Sequence, residues 1–266
     1  MSLTGLILAA GKGKRMQSDL PKVLHQVAGK PMLEWVIQAL TAVPCESVCV
    51  VLSQDYDSFL PILERYPKMA VCLQAEINGT AGAVAVAQNL FEGLAPVPFG
   101  RGELLKGLKQ KPGSLLICLS DTPALDAGLL ANFVAKCQAR STKLGVLAMK
   151  MPNPTGYGRL ILSPEGRLKS IVEEKDADEA TRKILICNSG ILFAEAEYLF
   201  KLLQKIDKKN SQNEYYLTDC IRIATHNGEH PEVIITEDWK SLMGINDREQ
   251  LASLDSMLKK RLFSKE

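Results

Sequence analysis

The chain has 266 residues, enough for one large α/β domain or a domain with a smaller lobe. It is 46% hydrophobic and 23% charged, ordinary for a globular enzyme. Its formal net charge of +2 gives no global attraction to nucleic acid or to an acidic membrane.

No apolar run reaches the length of a bilayer span, and Leu6 to Ala10 is too short for a signal-peptide core. The expected location is the cytoplasm, with neither a membrane nor nucleic acid as partner. Seven cysteines occur (Cys45, Cys49, Cys72, Cys118, Cys137, Cys187 and Cys220), scattered and with no C-x-x-C. They read as reduced, buried small hydrophobes rather than as a disulfide framework or zinc site.

In chain order, Thr4–Ala10 is a short apolar run ended by glycine, which predicts a buried strand. Leu33, Val36, Ile37 and Leu40 fall at helical spacing after Pro31, predicting a helix over 31–42. Strands follow at 47–52, 70–73, 114–119 and 143–149. Helices are expected at 55–66, 80–90 and 125–140, the first weakened by Pro61. This alternation is the signature of a parallel sheet with helices on both faces. Residues 93–113, rich in Gly, Pro and Lys, carry no periodicity and are expected to be a surface insertion.

Past residue 150 the pattern changes. A hairpin (158–162 and 168–173), a strand (184–194) and helices at 195–206 and 215–226 suggest a smaller β-rich lobe. Leu251, Leu254, Leu258 and Leu262 place one apolar stripe on a terminal helix over 247–263. The expected organisation is a domain over 1–246, in halves of about 1–150 and 151–246, followed by a C-terminal helix over 247–266.

Three local features bear on chemistry before any likeness is drawn. The turn Leu8-Ala9-Ala10-Gly11-Lys12-Gly13-Lys14-Arg15-Met16 has successive amides and positive charge suited to phosphate. It lacks the third glycine of a dinucleotide fingerprint and does not align with a Walker A loop. Asp121, just past the end of a predicted parallel strand, sits where such sheets bind ligands, although a helix cap or turn role explains it equally well. Gln74 carries a donor and an acceptor in one amide, and Thr80 begins a predicted helix, where it reads equally as an N-cap.

L-A-A-G-x-G-x-R-M followed by Pro21-Lys22-Val23-Leu24 resembles the signature of the nucleoside-diphosphate-sugar pyrophosphorylases. The stretch Leu73–Ala81 is similar to the L-Q-A-E-x-x-G-T block of the uridylyltransferase branch. Pro154–Arg159, Ile171–Ala177, Asn188–Ile191, Asn213–Asp219 and Gly244–Asp247 resemble, in order, blocks of the N-acetylglucosamine-1-phosphate uridyltransferases.

The resemblance implies a Rossmann-like, mostly parallel α/β sheet of the nucleotide-diphospho-sugar transferase type with a smaller β-rich sugar-binding lobe. It implies UTP and a sugar 1-phosphate, N-acetylglucosamine 1-phosphate, as substrates, and Mg²⁺ as cofactor. Leu8, Ala9, Ala10, Gly11, Gly13, Lys22, Gln74, Gly79 and Thr80 would then line the nucleotide site. Gly158, Glu173, Asn188, Tyr216 and Thr218 would line the sugar site. Arg15, Lys22 and Asp121 would be catalytic, and Asp121 would share the metal with Asn246. On local evidence alone Asn246 reads as a cap on the terminal helix.

Leu119-Ser120 stands where close relatives carry an aromatic residue and glycine. That leaves open another sugar-1-phosphate nucleotidyltransferase using dTTP or GTP. A non-catalytic sugar-nucleotide-binding subunit is a further alternative, which the retention of Arg15, Lys22 and Asp121 disfavours. The bifunctional members continue into an acetyltransferase β-helix of hexapeptide repeats. No such repeat occurs up to Glu266, so these residues are not expected to transfer acetyl groups.

Overall fold

A computed structural model describes residues 2–11, 13–53, 56–90, 102–106 and 112–263. The elements run β1 (Leu3–Ala9), β2 (Gln26–Val27), β3 (Lys30–Pro31), α1 (Met32–Thr41), β4 (Ser47–Leu52), α2 (Leu60–Leu63), β5 (Ala70–Gln74) and α3 (Thr80–Val86). They continue with β6 (Gly102–Lys106), β7 (Ser114–Leu119), α4 (Ala127–Ala139), β8 (Leu144–Lys150), β9 (Arg159–Leu162), β10 (Leu168–Val172) and α5 (Glu179–Arg182). The last are β11 (Ile186–Glu195), α6 (Ala196–Leu203), α7 (Asp219–His226), β12 (Glu232–Thr236) and α8 (Arg248–Phe263).

One sheet of 10 strands organises the described chain, in the order β10-β9-β11-β7-β1-β4-β5-β6, with β8 pairing to β11 and β12. β1 is parallel to both β4 and β7, and every residue of β1 is buried. A strand at the centre of a sheet covered on both faces must be apolar throughout, which is why its sequence does not alternate. Alternate residues serve two cores. Leu6 and Leu8 pack with residues of α3, α6 and α7, while Ile7 and Ala9 pack with α1 and α4. Helices therefore lie on both faces, as the alternation of the sequence implies.

From β1 the chain passes through β4 and β5 on one side and then returns to β7 on the other. Such a reversal opens a crevice beyond the carboxyl ends of β1 and β7, the position at which open α/β sheets bind ligands. The turn after Ala9 and the residues after Leu119 both emerge there.

Several expectations need correction. Gly102–Lys106, inside the segment expected to be an unstructured insertion, is a strand paired antiparallel with β5. Residues 91–101 and 107–111 lie outside the described residues. The helix expected over 55–66 shortens to Leu60–Leu63, with Pro61 in its first turn. The helix expected from Tyr215 begins at Asp219, because residues 215–217 bond laterally to residues 78–81. Strand β12 was not anticipated. Its burial is only partial, so it lacks the apolar run that marks the central strands.

The terminal helix α8 returns onto the domain as its apolar stripe predicts. Leu254 and Leu258 pack with Val27, Met32, Ala124 and Ile245. Asp255 accepts a hydrogen bond from the Ala28 backbone at 2.7 Å, and Arg261 pairs with Asp126 at 3.0 Å. All seven cysteines are free and six are buried, and burial pushes the pKa of thiols such as Cys187 up to about 11. Among the described residues no helix is long and apolar enough to cross a membrane.

Candidate active site

Four polar side chains converge at the crevice. Lys22 Nζ donates to Asp121 Oδ2 at 2.5 Å and to Asn246 Oδ1 at 3.2 Å. Arg15 Nη2 donates to the same Asn246 oxygen at 3.0 Å. Asp121 is carried by the turn after β7, Arg15 and Lys22 by the long connection after β1, and Asn246 by the segment entering α8. The Ile245 backbone N–H donates to the Asp121 carbonyl at 2.9 Å, which ties that segment to the turn. Lys22 and Asp121 side chains retain only 12% and 20% exposure, so the pair is weakly screened by solvent.

Asp121 Oδ1 is buried with no hydrogen-bond partner. Such an atom is costly unless a ligand or cation completes it. The helix-cap reading of Asp121 does not hold, because Asp126 caps α4 through the Leu129 N–H. Nor does the cap reading of Asn246. Asp247 Oδ1 accepts the Gln250 N–H at 2.9 Å, and the side chain of Asn246 faces Arg15 and Lys22.

The expected nucleotide residues border the same crevice. Leu8, Ala9 and Ala10 are buried at the end of β1, while Gly11 is exposed. Gln74 ends β5, is 2% exposed, and donates through Nε2 to Asn78 Oδ1 at 3.2 Å. That bond fixes which face of the amide stays available. The pair needs Gly82, where a Cβ would lie 1.7 Å from Asn78 Oδ1. Neither Asn78 nor Gly82 was singled out from sequence, although G-T-A-G with its second glycine inside a helix was a usable signal.

Gly79 has φ +114, and a Cβ there would lie 2.4 Å from the Tyr215 carbonyl. The chain at 78–81 is zipped to 215–217: Tyr215 N–H donates to Asn78 O at 2.8 Å and Ala81 N–H to Tyr215 O at 3.0 Å. Thr80 Oγ1 accepts the Leu217 N–H at 3.0 Å. Thr80 is thus the first residue of α3 rather than its cap, and its hydroxyl holds two segments together.

The expected sugar residues form a second cluster. Gly158 lies against Glu173, whose Oε2 would be 3.2 Å from a Cβ at that glycine, and the Gly158 carbonyl accepts the Asn188 N–H at 2.8 Å. Register between β11 and β8 shifts between Asn188 and Ile191. Gly190, with φ +79, makes that bulge and donates its N–H to Asn188 Oδ1 at 3.1 Å. Thr218 Oγ1 donates to Glu173 Oε1 at 2.9 Å, and Tyr216 OH accepts from Gln212 at 2.7 Å. A cavity of about 470 Å³ opens beside Glu173 and Tyr216. A larger one, about 590 Å³, is lined by Leu24, Glu34 and Arg65 and by no residue of either cluster.

The two clusters adjoin. Leu119 fills the space beside Gly190, where a Cβ would lie 2.4 Å from Leu119 Cδ1. Ser120 spends its hydroxyl on the Leu8 carbonyl at 2.7 Å, so it adds no free polar group to the crevice. The half-buried Tyr157 phenol, raised in pKa by burial, is hydrogen-bonded to the Gly244 backbone, two residues before Asn246. Arg159, of the same block, is structural. Its guanidinium is 1% exposed and pairs with Glu174 at 2.7 Å.

Burial holds the Glu173 carboxyl above its usual range, the Thr218 hydroxyl partly offsets this, and Asp176 and Asp219 add repulsion. The folded chain therefore binds that proton more tightly than the unfolded chain. The stability it contributes is present below the unfolded carboxyl range and is lost as pH rises through the folded pKa. Glu173→Gln should therefore gain melting temperature over the parent at about pH 7 and little at about pH 4. Paired melting curves check this, and an equal difference at both pH values would contradict it.

Residues 5–186 match the model of the MobA-like NTP transferase domain, and the chain belongs to that family. It is 35% identical over 261 residues to the bifunctional protein GlmU of Pelobacter propionicus, and 38% over 261 residues to that of Rhodospirillum rubrum. Each alignment covers 98% of this chain and 53% and 54% of the relative, so the chain spans about half their length. The fold is shared with a UDP-glucose pyrophosphorylase complexed with UDP-glucose (TM-score 0.73, 14% identity, 98% of this chain and 100% of that one). It is shared also with a putative glucose-1-phosphate thymidylyltransferase from Bacillus anthracis (TM-score 0.70, 15% identity, 96% and 95%).

Proposed function

We propose that this chain transfers the uridylyl group of UTP to N-acetylglucosamine 1-phosphate, releasing pyrophosphate and forming UDP-N-acetylglucosamine. The observation that carries the reading is the meeting of Arg15, Lys22, Asp121 and Asn246 at the switch point of the sheet. Phosphoryl chemistry asks for positioning and charge neutralisation, and this constellation offers both. Likeness to GlmU proteins, rather than to the fold neighbours, is what favours UTP and the amino-sugar.

The residues divide the work. Arg15 and Lys22 hold the triphosphate and offset its charge. Gln74, its amide fixed by Asn78, reads the uracil edge, with Leu8–Gly11, Gly13, Gly79 and Thr80 shaping the nucleotide site. Gly158, Glu173 and Asn188 hold the amino-sugar, with Tyr216 and Thr218 bracing that wall. A sugar phosphate is largely a dianion at neutral pH, its second pKa being about 6, so no side chain is needed as a general base. Its oxygen attacks the α-phosphorus in line with the departing pyrophosphate, and no covalent enzyme intermediate forms.

Asp121 and Asn246 are the residues that would hold Mg²⁺. Their oxygens, one of them the unpartnered Asp121 Oδ1, suit a hard cation. Two protein ligands alone would leave most of the coordination of such an ion to water and phosphate oxygens. When bound, the ion supplies charge neutralisation at the phosphates. The division into a nucleotide half to about residue 150 and a sugar half to 246, and a cytoplasmic location without nucleic acid or membrane partners, belong to the same reading.

A pyrophosphate-release screen of four nucleoside triphosphates against several sugar 1-phosphates tests it. UTP with N-acetylglucosamine 1-phosphate should be the best pair and should require Mg²⁺. If dTTP with glucose 1-phosphate turned over much faster, Leu119-Ser120 would mark a thymidylyltransferase instead.

A further inference from the structure

We propose that Arg248 is a positioning residue for the phosphate-binding loop: it touches no substrate and instead clamps the backbone that presents Arg15. The inference rests on the reading of Arg15 as a triphosphate ligand.

Arg248 opens α8, and its guanidinium reaches across to the connection after β1. Nε donates to the Met16 carbonyl at 2.9 Å and Nη2 to the Gln17 carbonyl at 2.7 Å. Those two N–H groups lie on one edge of the guanidinium, so a rigid fork grips two consecutive carbonyls. The clamped backbone is unusual. The short 3₁₀ turn Lys14–Met16 is entered through Gly13 at φ 57 and left through Gln17 at φ 49. Glutamine in the left-handed region is strained, and the surroundings must hold it there. Arg248 grips the chain at this kink, on the residue that follows Arg15 and the next.

The same short segment meets the loop a second time, through Asn246 Oδ1 and Arg15 Nη2 at 3.0 Å. Residues 246–248 therefore contact both the Arg15 side chain and the backbone beyond it. They do so from a fixed platform: Ile245 is bonded to Asp121, and α8 is anchored by Leu254, Leu258, Asp255 and Arg261. A cation in the first turn of a helix opposes the helix dipole, so Arg248 does not serve α8 itself. A lysine has donors enough for both carbonyls but no rigid fork to fix them at a set spacing, so it would hold the turn less firmly.

The test is a double-mutant cycle of Arg248→Ala with Arg15→Ala, with Arg248→Lys alongside. Steady-state rates, calorimetric titration with Mg·UTP and melting temperature are read for each variant. Arg248→Ala should lower kcat/KM about tenfold, mainly through the triphosphate, with the melting temperature unchanged. In the Arg15→Ala background it should cost little more, because the clamp acts through that side chain. Arg248→Lys should recover part of the loss. Effects that multiply in full, or an activity loss that tracks a falling melting temperature, would assign Arg248 to packing alone. Parental affinity and rates in Arg248→Ala would sink the inference and leave the functional reading intact. A parent chain that turns over no sugar 1-phosphate would sink the functional reading, while the Mg·UTP titrations would still read the clamp.

Discussion

Asp121→Ala is expected to lower turnover by roughly two to three orders of magnitude or more, because it removes the carboxylate that faces Lys22 and that would hold the metal. Its thermal stability should not suffer. One oxygen of Asp121 is buried and unpartnered, and the cost relieved by removing it offsets the lost ion pair with Lys22, which keeps its bond to Asn246. Lys22→Ala should act similarly, by removing a fixed positive charge. Asn246→Ala separates two explanations of the same segment. As a metal ligand its loss raises the Mg²⁺ concentration for half-maximal rate and spares the melting temperature. Were it mainly a helix cap, its loss would lower stability by about 1 kcal/mol and leave the Mg²⁺ dependence alone. The geometry, with Asp247 as the cap, predicts the first outcome.

Gly79→Ala should produce a large loss of stability for so small a substitution. Its φ of +114 falls where side chains are rarely tolerated, and the new methyl would lie 2.4 Å from the Tyr215 carbonyl. Strain of that kind costs about 1–3 kcal/mol before the clash is counted. For a chain of this size that lowers the melting temperature by roughly 2–4 °C per kcal/mol. Because the same residue joins the Gln74–Asn78 turn to residues 215–217, nucleotide affinity should fall with it. A Gly79→Ala protein that melts with the parent and binds UTP equally well would show that this junction yields more easily than its geometry indicates.

The parts of the fold legible in the sequence were those buried on both sides. β1, β4 and β7 are uninterrupted apolar runs because the central sheet is covered by helices on each face. β12 was missed because its side chains are half exposed and its hydrophobicity is correspondingly mixed. β6 was missed because its Gly-, Pro- and Lys-rich surroundings carry no period, and its partner β5 is distant in sequence. Tyr215–Leu217 looked helical because their lateral bonds to residues 78–81 are invisible locally.

At the site, the family resemblance implied that Arg15, Lys22, Asp121 and Asn246 would meet, whereas local evidence left Asp121 evenly balanced between ligand and cap and preferred a cap for Asn246. A neighbouring aspartate, Asp126 or Asp247, takes the cap in each case. The supporting residues were harder to see. Asn78, Gly82, Tyr157 and Arg248 act on backbone or on another side chain, and such roles leave no pattern of residue types. Thr80 reads as a helix cap in sequence, whereas its hydroxyl bonds the Leu217 N–H from the first position of α3.

The central claim is transfer of the uridylyl group of UTP, through its α-phosphorus, to the sugar phosphate, and positional labelling tests it most directly. The chain is incubated with Mg²⁺, N-acetylglucosamine 1-phosphate and UTP labelled at either the α- or the γ-phosphorus, and the products are separated. The account predicts that the α-label appears in UDP-N-acetylglucosamine and the γ-label in pyrophosphate, both dependent on the sugar phosphate. Label from the γ-position on the sugar, or α-label recovered only as UMP or UDP, would contradict it.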